Sequence, residues 1–462
     1  MSHCLVLDIG KTNVKLHVLN SKRQSVFSES RANKVLLEGD YPHTDVEGIW
    51  IWMISVIGRL TDKLHISRMS ITTHGATAAL INRNTVDGSS GLVLPILDYE
   101  SNKVDQSELE YAKVKPAFSE TYSPSLPAGL NLAKQLFWLQ KTFPDKFSEA
   151  TDILMYPQYW AWRLTGQRTS EITSLGCHTD LWSVKENTFS SLVTHMQWQT
   201  LFPEIQPAWT NLGSVNPQVA KQTGLPDDCQ VFAGIHDSNA SFLRYRLHNQ
   251  TQPFTVISTG TWTILMSSGV PLDKLDSRQD MLANMDVMAT PIACARFMGG
   301  REYEAICAQL GGAFGDPVDP IQIQHLIDKK YMALPDFSDG SGPFGGRKAE
   351  FIGKISANQG TAIATLYCAM MIDYQLDRLA AQNSIYIEGA FLQNPLMCSM
   401  LAQLRPQQDV WLSADATGTV QGCAYLTDWQ SVPSAIELKP AVPTKFSGLG
   451  DYKKHWLTSV LQ

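Results

Sequence analysis

The pattern of hydrophobic and polar positions predicts two β-hairpins, one near the start of each half of the chain. In the first, residues 4–9 form a short apolar run, and residues 14–19 alternate in polarity after a turn at residues 10–13. In the second, residues 255–258 and 261–266 form a similar pair around a glycine. No fixed repeat period connects the two hairpins, so the sequence indicates two related halves rather than a tandem array.

Helical and further strand patterns surround the hairpins. Residues 45–63 carry apolar side chains at helical spacing, with Asp45 at the N-cap position. Two strands are predicted at residues 68–73 and 76–81, and a long helix is predicted at residues 362–380. The order strand, strand, helix, strand predicts an α/β protein in which a mixed sheet carries helices on its face.

The composition fits a globular protein of two large lobes or three smaller units. The chain has 462 residues, and domains usually contain about 100–200 residues each. Hydrophobic residues make up 44% and charged residues 18% of the chain, which favours a packed core over disorder. The net charge of −7 gives no electrostatic reason to expect nucleic acid or an anionic membrane as a partner.

The cysteines and the N-terminal segment bear on the cellular compartment. The eight cysteines form no C-x-x-C pair, which argues against zinc and thioredoxin-type sites. The start of the chain lacks the basic and apolar regions of a signal peptide, and no apolar run approaches the roughly 18 residues that span a bilayer. These features predict a cytoplasmic protein without a membrane partner.

The turn of the first hairpin contains residue types that suit a phosphate group. A tight turn of small residues directs backbone N–H groups toward one point, and Lys11, Thr12 and Asn13 add further donors. Asp8, at the end of the preceding strand, could hold a metal ion through water. The alternative is an ordinary hairpin with a solvated lysine.

The second hairpin repeats this chemistry in a weaker form. Thr259, Gly260 and Thr261 supply hydroxyl groups and an unhindered backbone at the turn. Such a turn can also bind phosphate oxygens through its amides. A plain β-turn without a ligand is the alternative.

Three other positions are candidates for chemistry. Asp237 follows Gly234 at a strand end, where a catalytic carboxylate would be held rigidly, although it could instead cap a helix. Gly389 lies between a strand and a helix, where a flat ligand could lie against the backbone or where the two elements pack closely. His74 and Gly75 separate two strands, and a lone histidine there could be structural or functional.

Together these segments resemble the FGGY family of carbohydrate kinases, most closely its rhamnulokinase-like and xylulokinase-like branches. The likeness extends over nearly the whole chain, and although each segment is short, all occur in the family's order. The segments that carry it are residues 8–15, 73–76, 156–166 with 174–177, 234–237, 258–261, 388–394 and 414–424.

The resemblance implies an α/β fold of the actin-like ATPase type, with two ribonuclease-H-like lobes around a central cleft. Residues 1–240 would form the N-terminal lobe with the sugar site, the first phosphate hairpin and the catalytic aspartate. Residues 241–435 would form the C-terminal lobe with the second hairpin and the adenosine pocket. Residues 436–462 would form a linker and a short helix.

The resemblance also assigns roles to individual residues. It implies that Asp237 is the catalytic base and that Asp8 and Asp237 hold Mg²⁺. The residues it implies for the sugar are His74, Gly75, Thr77, His236 and Asp237. The residues it implies for ATP are Lys11, Thr12, Asn13, Thr259, Gly260, Thr261, Gly389, Ala390 and Asn394.

The activity implied by the resemblance is ATP-dependent phosphorylation of a small sugar with Mg²⁺ as the metal cofactor. The expected acceptor is a ketose, either a pentulose or a 6-deoxyhexulose such as rhamnulose, fuculose or xylulose. A polyol kinase and a nucleotide-binding actin-like protein without sugar kinase activity stay open as alternatives. The sequence predicts no nucleic-acid partner and leaves a homodimer open.

Overall fold

The computed structural model describes residues 2–85, 89–249, 252–338, 340–414, 417–429, 431 and 436–462. The chain divides into two compact units. The first contains residues 1–248, 283–291 and 417–435, and the second contains residues 249–282, 292–416 and 436–462. Residues 283–291 and 417–435 therefore group with the first unit, although they follow residue 240, where the sequence-based division places its boundary. Within the described ranges, no helix is long and apolar enough to cross a bilayer.

Both strands and helices occur throughout the chain, as the sequence predicts for an α/β protein. The strands are β1 (His3–Ile9), β2 (Asn13–Leu19), β3 (Ser25–Ala32), β4 (Val35–Leu36), β5 (His43–Thr44), β6 (Ile66–Thr73), β7 (Ala78–Ile81), β8 (Asp152–Met155), β9 (Trp182–Ser183), β10 (Thr188–Phe189), β11 (Asn211–Ser214), β12 (Gln230–Phe232), β13 (Ile235–His236), β14 (Phe254–Thr259), β15 (Thr263–Ser267), β16 (Met281–Met285), β17 (Pro291–Phe297), β18 (Met332–Leu334), β19 (Glu350–Ile352), β20 (Ser384–Gly389), β21 (Val410–Ser413) and β22 (Leu438–Pro440). The α-helices are α1 (Val46–Leu60), α2 (Glu108–Val114), α3 (Phe118–Thr121), α4 (Leu132–Thr142), α5 (Pro144–Ser148), α6 (Tyr156–Thr165), α7 (Ile172–Leu175), α8 (Ser191–His195), α9 (Pro217–Thr223), α10 (Asp237–Asn249), α11 (Gly299–Leu310), α12 (Pro320–Lys329), α13 (Gly360–Arg378), α14 (Pro395–Leu404), α15 (Gly418–Tyr425) and α16 (Leu449–Leu461).

Both hairpins and the long helices confirm the sequence-based predictions. The helix predicted at residues 45–63 is α1, and the side chain of Asp45 caps it by accepting the N–H of Gly48 at 2.9 Å. The helix predicted at residues 362–380 is α13, which begins two residues earlier. Of the segment 414–424 that carries part of the family resemblance, residues 415 and 416 lie outside the described residues.

The first sheet is built on the N-terminal hairpin and has helices on both faces. Its order is β11-β12-β6-β1-β2-β3, and β13 also pairs with β6. Because successive side chains of a strand point to opposite faces, Leu5 and Leu7 of β1 join a core with α1 and α6, whereas Cys4 and Val6 join a second core with α10 and α15. Burial on both faces explains why β1 is apolar over nearly its whole length. Asp8 continues the second series, on the face that packs against α10.

The second sheet repeats the strand arrangement of the first. β15 pairs antiparallel with β14 and β17, β14 pairs parallel with β20, and β20 pairs parallel with β21. The first sheet has the same directions in the series β3-β2-β1-β6-β12. Two copies of this five-strand pattern confirm the predicted α/β fold with one ribonuclease-H-like sheet in each half.

Close packing between α10 and α15 generates a stability prediction. A Cβ atom at Gly422 of α15 would overlap the carbonyl oxygen of Ala240 in α10, whereas a Cβ atom at Gly450 of α16 would meet nothing within 4 Å. We expect Gly422→Ala to lower the free energy of unfolding by about 1–3 kcal/mol, because packed helices must separate. Urea unfolding followed by circular dichroism measures this change.

The matched control is Gly450→Ala, which makes the same chemical change in a helix with open space around it. Alanine has the higher helix propensity, so this variant should gain roughly 0.5–1 kcal/mol. Equal stabilisation of both variants would show that α10 and α15 are not packed as closely as described.

Candidate active site

The carboxyl ends of three parallel strands of the first sheet lie in one row. Ile9 of β1 is opposite Thr73 of β6, and Thr73 is opposite His236 of β13. The backbone N–H of His74 also donates to the carbonyl oxygen of Ile9 at 2.9 Å. Since neighbouring strands are about 4.8 Å apart, the residues that follow these three ends lie within about 10 Å of one another. The register therefore gathers three predicted site segments that are far apart along the chain.

Asp8 and Asp237 are carboxylates that lie close enough to interact through their charges. Burial and the negative charge of Asp237 raise the pKa of Asp8 to about 7, against the lowering effect of Lys15. Burial also raises the pKa of Asp237, opposed by His74 and by hydrogen bonds from Ser238. A pair of acids held in this way can accept a proton or bind a cation.

Asp237 is the first residue of α10, so its position alone fits either a catalytic residue or a helix cap. Its carboxylate accepts the N–H of Ser238 at 2.5 Å and the hydroxyl of Ser238 at 3.2 Å. A capping side chain would instead accept an N–H two or three residues further on. The side chain is 30% exposed and lies 3.3 Å from Nε2 of His236. The carboxylate is therefore accessible at the sheet edge.

His236 is held in one orientation by buried neighbours. Its backbone N–H donates to the hydroxyl of Thr173 at 3.1 Å, and its Nδ1 lies 3.3 Å from the side-chain amide nitrogen of Asn239. Its Nε2 lies 3.6 Å from the sulfur of Cys177, and a Cβ atom at Gly75 would approach that same nitrogen to 2.9 Å. Burial lowers the pKa of His236 to about 4, so the ring is neutral at neutral pH.

His74 lies between two tyrosines at the adjacent strand end. Its ring centroid is 5.4 Å from that of Tyr99 and 5.3 Å from that of Tyr156. Nδ1 of His74 is 3.1 Å from the carbonyl oxygen of Gly75 and 3.3 Å from the hydroxyl of Thr77. Burial lowers the pKa of His74. The predicted sugar residues of this segment thus form one hydrogen-bonded group beside aromatic surface.

Lys11 forms an ion pair with an acidic residue of the first unit. Its ammonium group pairs with Asp98 and lies 3.3 Å from the carboxylate of Glu100. It also lies 4.6 Å from the centroid of the Tyr99 ring. The side chain therefore extends from the hairpin turn toward residues 98–100, and its role toward ATP stays a prediction.

Each unit has a hairpin turn with exposed hydroxyl or amide side chains. In the first unit, Gly10 donates its N–H to the carbonyl of Asn13 at 2.9 Å, and Thr12 and Asn13 are exposed. In the second unit, Gly260 donates its N–H at 2.8 Å to the carbonyl two residues further on, and Thr261 is exposed. Both turns are therefore tight, as the sequence predicts, with the N–H groups of Gly10 and Gly260 used within them, and their role toward phosphate stays a prediction.

The remaining predicted ATP residues are near the second hairpin. The hydroxyl of Thr259 donates to the carbonyl oxygen of Glu388 at 2.6 Å, and the side chain of Asn394 caps α14. Gly389 has φ +88°, and a Cβ atom there would overlap the carbonyl oxygen of Thr259. Gly389 is exposed and Ala390 is half-buried. Thr259 and Asn394 therefore shape this loop, while Gly389 and Ala390 offer backbone surface to a ligand.

Comparison with known proteins identifies the family. Residues 3–243 match the N-terminal domain of the FGGY family of carbohydrate kinases, and residues 251–435 match the description "Carbohydrate kinase FGGY, C-terminal domain". The chain belongs to the FGGY family. This confirms the resemblance on which the sequence-based assignment depends.

Several relatives of this FGGY chain are sugar kinases by name. It is 32% identical to a carbohydrate kinase from Novosphingobium aromaticivorans, with a TM-score of 0.91 over 100% of this chain and 99% of that one. It is 27% identical over 282 residues to L-fuculokinase of Escherichia coli (strain K12), a match that covers 58% of this chain and 57% of the relative. A ligand-bound xylulose kinase from Lactobacillus acidophilus shares the fold, with a TM-score of 0.78 over 100% of this chain and 96% of that one at 14% identity.

The structure adds residues that the sequence analysis did not assign to the FGGY site. Tyr99 flanks His74, and Asp98 holds Lys11. Thr173 holds the backbone of His236, and buried Glu171 accepts the hydroxyl of Thr173 at 2.6 Å. Burial raises the pKa of Glu171 to about 7. The contacts of Asp98, Tyr99 and Thr173 join residues that are far apart along the chain, so the sequence carried no local signal for them.

The raised pKa of Asp8 predicts a pH-dependent stability difference. A carboxyl group whose pKa rises from 3.8 in the unfolded chain to about 7 in the folded chain stabilises the fold at low pH and loses that contribution as pH rises from about 4 to 7. Asp8→Asn removes this effect. The variant should therefore gain thermal stability relative to the parent protein between pH 4.5 and pH 8.

Thermal midpoints of both proteins across this pH range measure the difference. Asp62→Asn, at an exposed position before β6, serves as the control and should show no such trend. A difference between Asp8→Asn and parent that does not change with pH would contradict the raised pKa.

Proposed function

We propose that this FGGY chain transfers the γ-phosphoryl group of ATP to a hydroxyl group of a small sugar, with Asp237 as the catalytic base. The observation that carries the proposal is the pair Asp8 and Asp237, presented together at aligned strand ends beside His74 and His236. Phosphoryl transfer requires alignment and charge stabilisation more than covalent chemistry by the protein. The strand ends and the imidazole rings held beside them would keep the reacting groups aligned.

In the proposed transfer, Asp237 acts as the general base. As the sugar oxygen bonds to the γ-phosphorus, its proton moves to a carboxylate oxygen of Asp237, and the bond from the γ-phosphorus to the β–γ bridging oxygen breaks to release ADP. Asp237 accepts this proton because burial raises its pKa above that of an ordinary carboxyl group. The neutral ring of His236, whose Nε2 lies 3.3 Å from this carboxylate, would contact a hydroxyl group of the sugar.

The residues at this edge fit Mg²⁺. Asp8 and Asp237 provide carboxylate oxygens, and the negative charge of Asp237 disfavours ionisation of Asp8, a conflict that a cation would relieve. Mg²⁺ usually takes one or two protein carboxylates together with water and substrate phosphates. When bound, it would neutralise charge that develops on the phosphate oxygens.

For ATP, we propose contacts from both hairpin turns. Thr12 and Asn13 of the first turn and Thr261 of the second turn have exposed polar side chains of the kind that bind phosphate oxygens, and Gly260 would leave room for a phosphate group close to the backbone. Gly389 and the neighbouring Ala390 would contact the adenosine. These roles are supported by the form of each loop and by the family to which the chain belongs.

For the acceptor, we propose a ketose, such as a pentulose or a 6-deoxyhexulose. The support comes from relatives named L-fuculokinase and probable L-xylulose kinase, the latter from Pasteurella multocida (strain Pm70) and 23% identical over 61% of this chain. This chain spans slightly over half the length of these curated relatives. His74, Gly75, Thr77 and His236 would contact the sugar hydroxyls.

Replacing Asp237 tests the proposed base. Asp237→Asn keeps the size of the side chain and removes its ability to accept the proton, so kcat for sugar phosphorylation should fall about 10²–10⁴-fold. ATP affinity should change little. A coupled assay of ADP release with a panel of ketoses and polyols measures kcat, and calorimetry measures ATP affinity.

Asp228→Asn is the matched control, because Asp228 is exposed and lies nine residues earlier in the chain. Normal turnover by Asp237→Asn would refute the catalytic role. ATP hydrolysis that no sugar changes would support a nucleotide-binding protein without sugar kinase activity.

Replacing Thr12 tests the role of the first hairpin turn. Thr12→Ala removes an exposed hydroxyl group, and the loss of one hydrogen bond to a charged phosphate should raise the KM for ATP about tenfold. The KM for the sugar should stay the same. Ser28→Ala, at an exposed position on β3, is the control; an equal change in both Michaelis constants of Thr12→Ala would argue against specific phosphate contact.

A further inference from the structure

A polar cavity of the first unit lies away from Asp237. It has a volume of about 320 Å³ and is lined by residues of α1, of the end of α6 and of α9. The start of α6 is at the active-site edge, where Tyr156 contacts His74 and Gln158 donates to the carbonyl oxygen of Ala233 at 2.9 Å. At 1.5 Å per residue, Trp162 and Arg163, which line the cavity, lie about 9–10 Å further along this helix. The cavity is therefore separate from the catalytic residues.

The charged residues that line this cavity, within the described part of the chain, are three arginines. Arg163 is only 2% exposed; it pairs with Glu47 at 3.0 Å. Arg168 pairs with buried Asp152 at 2.7 Å, and Arg83 approaches the same carboxylate to 3.8 Å. Arg83 and Arg168 are each 42% exposed, whereas Asp152 is 1% exposed. The guanidinium groups of Arg83 and Arg168 are therefore accessible to solvent in the cavity, whereas the carboxylate of Asp152, which orients both, is buried.

Two tryptophans give the cavity flat apolar walls. The guanidinium group of Arg163 lies 4.1 Å from the ring centroid of Trp50 and holds that ring in place. Trp162 is seated against Gly91, where a Cβ atom would overlap the indole ring. Both rings are half-buried and line the cavity, so each retains some accessible surface. Fixed aromatic rings can pack against the C–H face of a small ring compound at little entropic cost.

We propose that this cavity is a binding site for a sugar phosphate. Exposed arginine forks recognise a phosphate group through paired, charge-assisted hydrogen bonds. The tryptophan rings suit the C–H face of a sugar, and the neutral polar lining, which includes Thr85, Ser89 and Gln222, suits its hydroxyl groups. The site is distinct from the catalytic one, and the inference stands whether or not the chain transfers phosphate.

Titration calorimetry of the whole chain with D-fructose 6-phosphate tests the proposal. We expect saturable binding, and much weaker binding of D-fructose and of inorganic phosphate, because each lacks one of the recognised parts. Arg83→Gln should weaken binding about tenfold, the loss expected for a charge-assisted hydrogen bond. Gln222→Trp, at an exposed position of α9, should fill the cavity and abolish binding.

Two controls separate this site from the active site and from general charge effects. Asp237→Asn should bind D-fructose 6-phosphate like the parent protein. Arg59→Gln, which removes an exposed arginine of α1 paired with Glu29 outside the cavity, should also bind normally. Thermal midpoints show whether each variant is folded. If one of the two cavity variants, Arg83→Gln or Gln222→Trp, does not fold, the other still tests the proposal.

Three results would overturn the proposal. They are absence of binding at millimolar D-fructose 6-phosphate, equal binding of inorganic phosphate and the sugar phosphate, and binding that Asp237→Asn abolishes while both cavity variants retain it. The last result would place the ligand at the catalytic aspartate instead. All three are independent of turnover, so failure of the proposed kinase activity would leave this test intact.

Discussion

The register of the first sheet is the constraint on which the site depends. β1, β6 and β13 run parallel, and their last residues fall in one row. Parallel strands end at the same edge, and ligands of open α/β sheets usually bind there. Because β13 is only two residues long, a shift of one residue would turn Asp237 toward the other face and away from Asp8. Hydrogen bonds from Gln158 and to Thr173 hold the chain on either side of this short strand.

The same arrangement places two carboxyl groups close together, and a bound divalent cation would relieve the repulsion between their charges. The charge of Asp237 and burial both disfavour ionisation of Asp8, burial lowers the pKa of His74, and burial keeps the ring of His236 neutral. The site therefore has little positive charge of its own beside Lys15, and Lys11 is already paired with Asp98. A divalent cation would complete the charge balance as it brings phosphate oxygens to the carboxylates.

The sequence predicted the features that depend on local pattern. The two hairpin turns, the Asp45 cap and the long helix α13 depend on residues close together in the chain, and the structure confirms them. The family resemblance then placed Asp8 and Asp237 in one site, and in the structure they lie close enough for the charge of Asp237 to raise the pKa of Asp8.

The sequence could not predict contacts that arise only from folding. The ion pair of Lys11 with Asp98 spans 87 positions, and the hydrogen bond from His236 to Thr173 spans 63. Asn394 illustrates the same limit, because its side chain is already occupied as the cap of α14 and by Thr365. The sequence motif around Asn394 identifies a loop, but the hydrogen bonds made in the folded protein determine which of its atoms are available to a ligand.

We propose that Asp8 and Asp237 act together on one reacting group. A double-mutant cycle on the single-turnover rate of sugar phosphorylation tests it most directly, using Asp8→Asn, Asp237→Asn and the double variant. If the carboxylates form one site, the double variant should be little slower than the slower single variant, because either substitution already disrupts the shared site. Losses that multiply in the double variant would show instead that the two aspartates act independently.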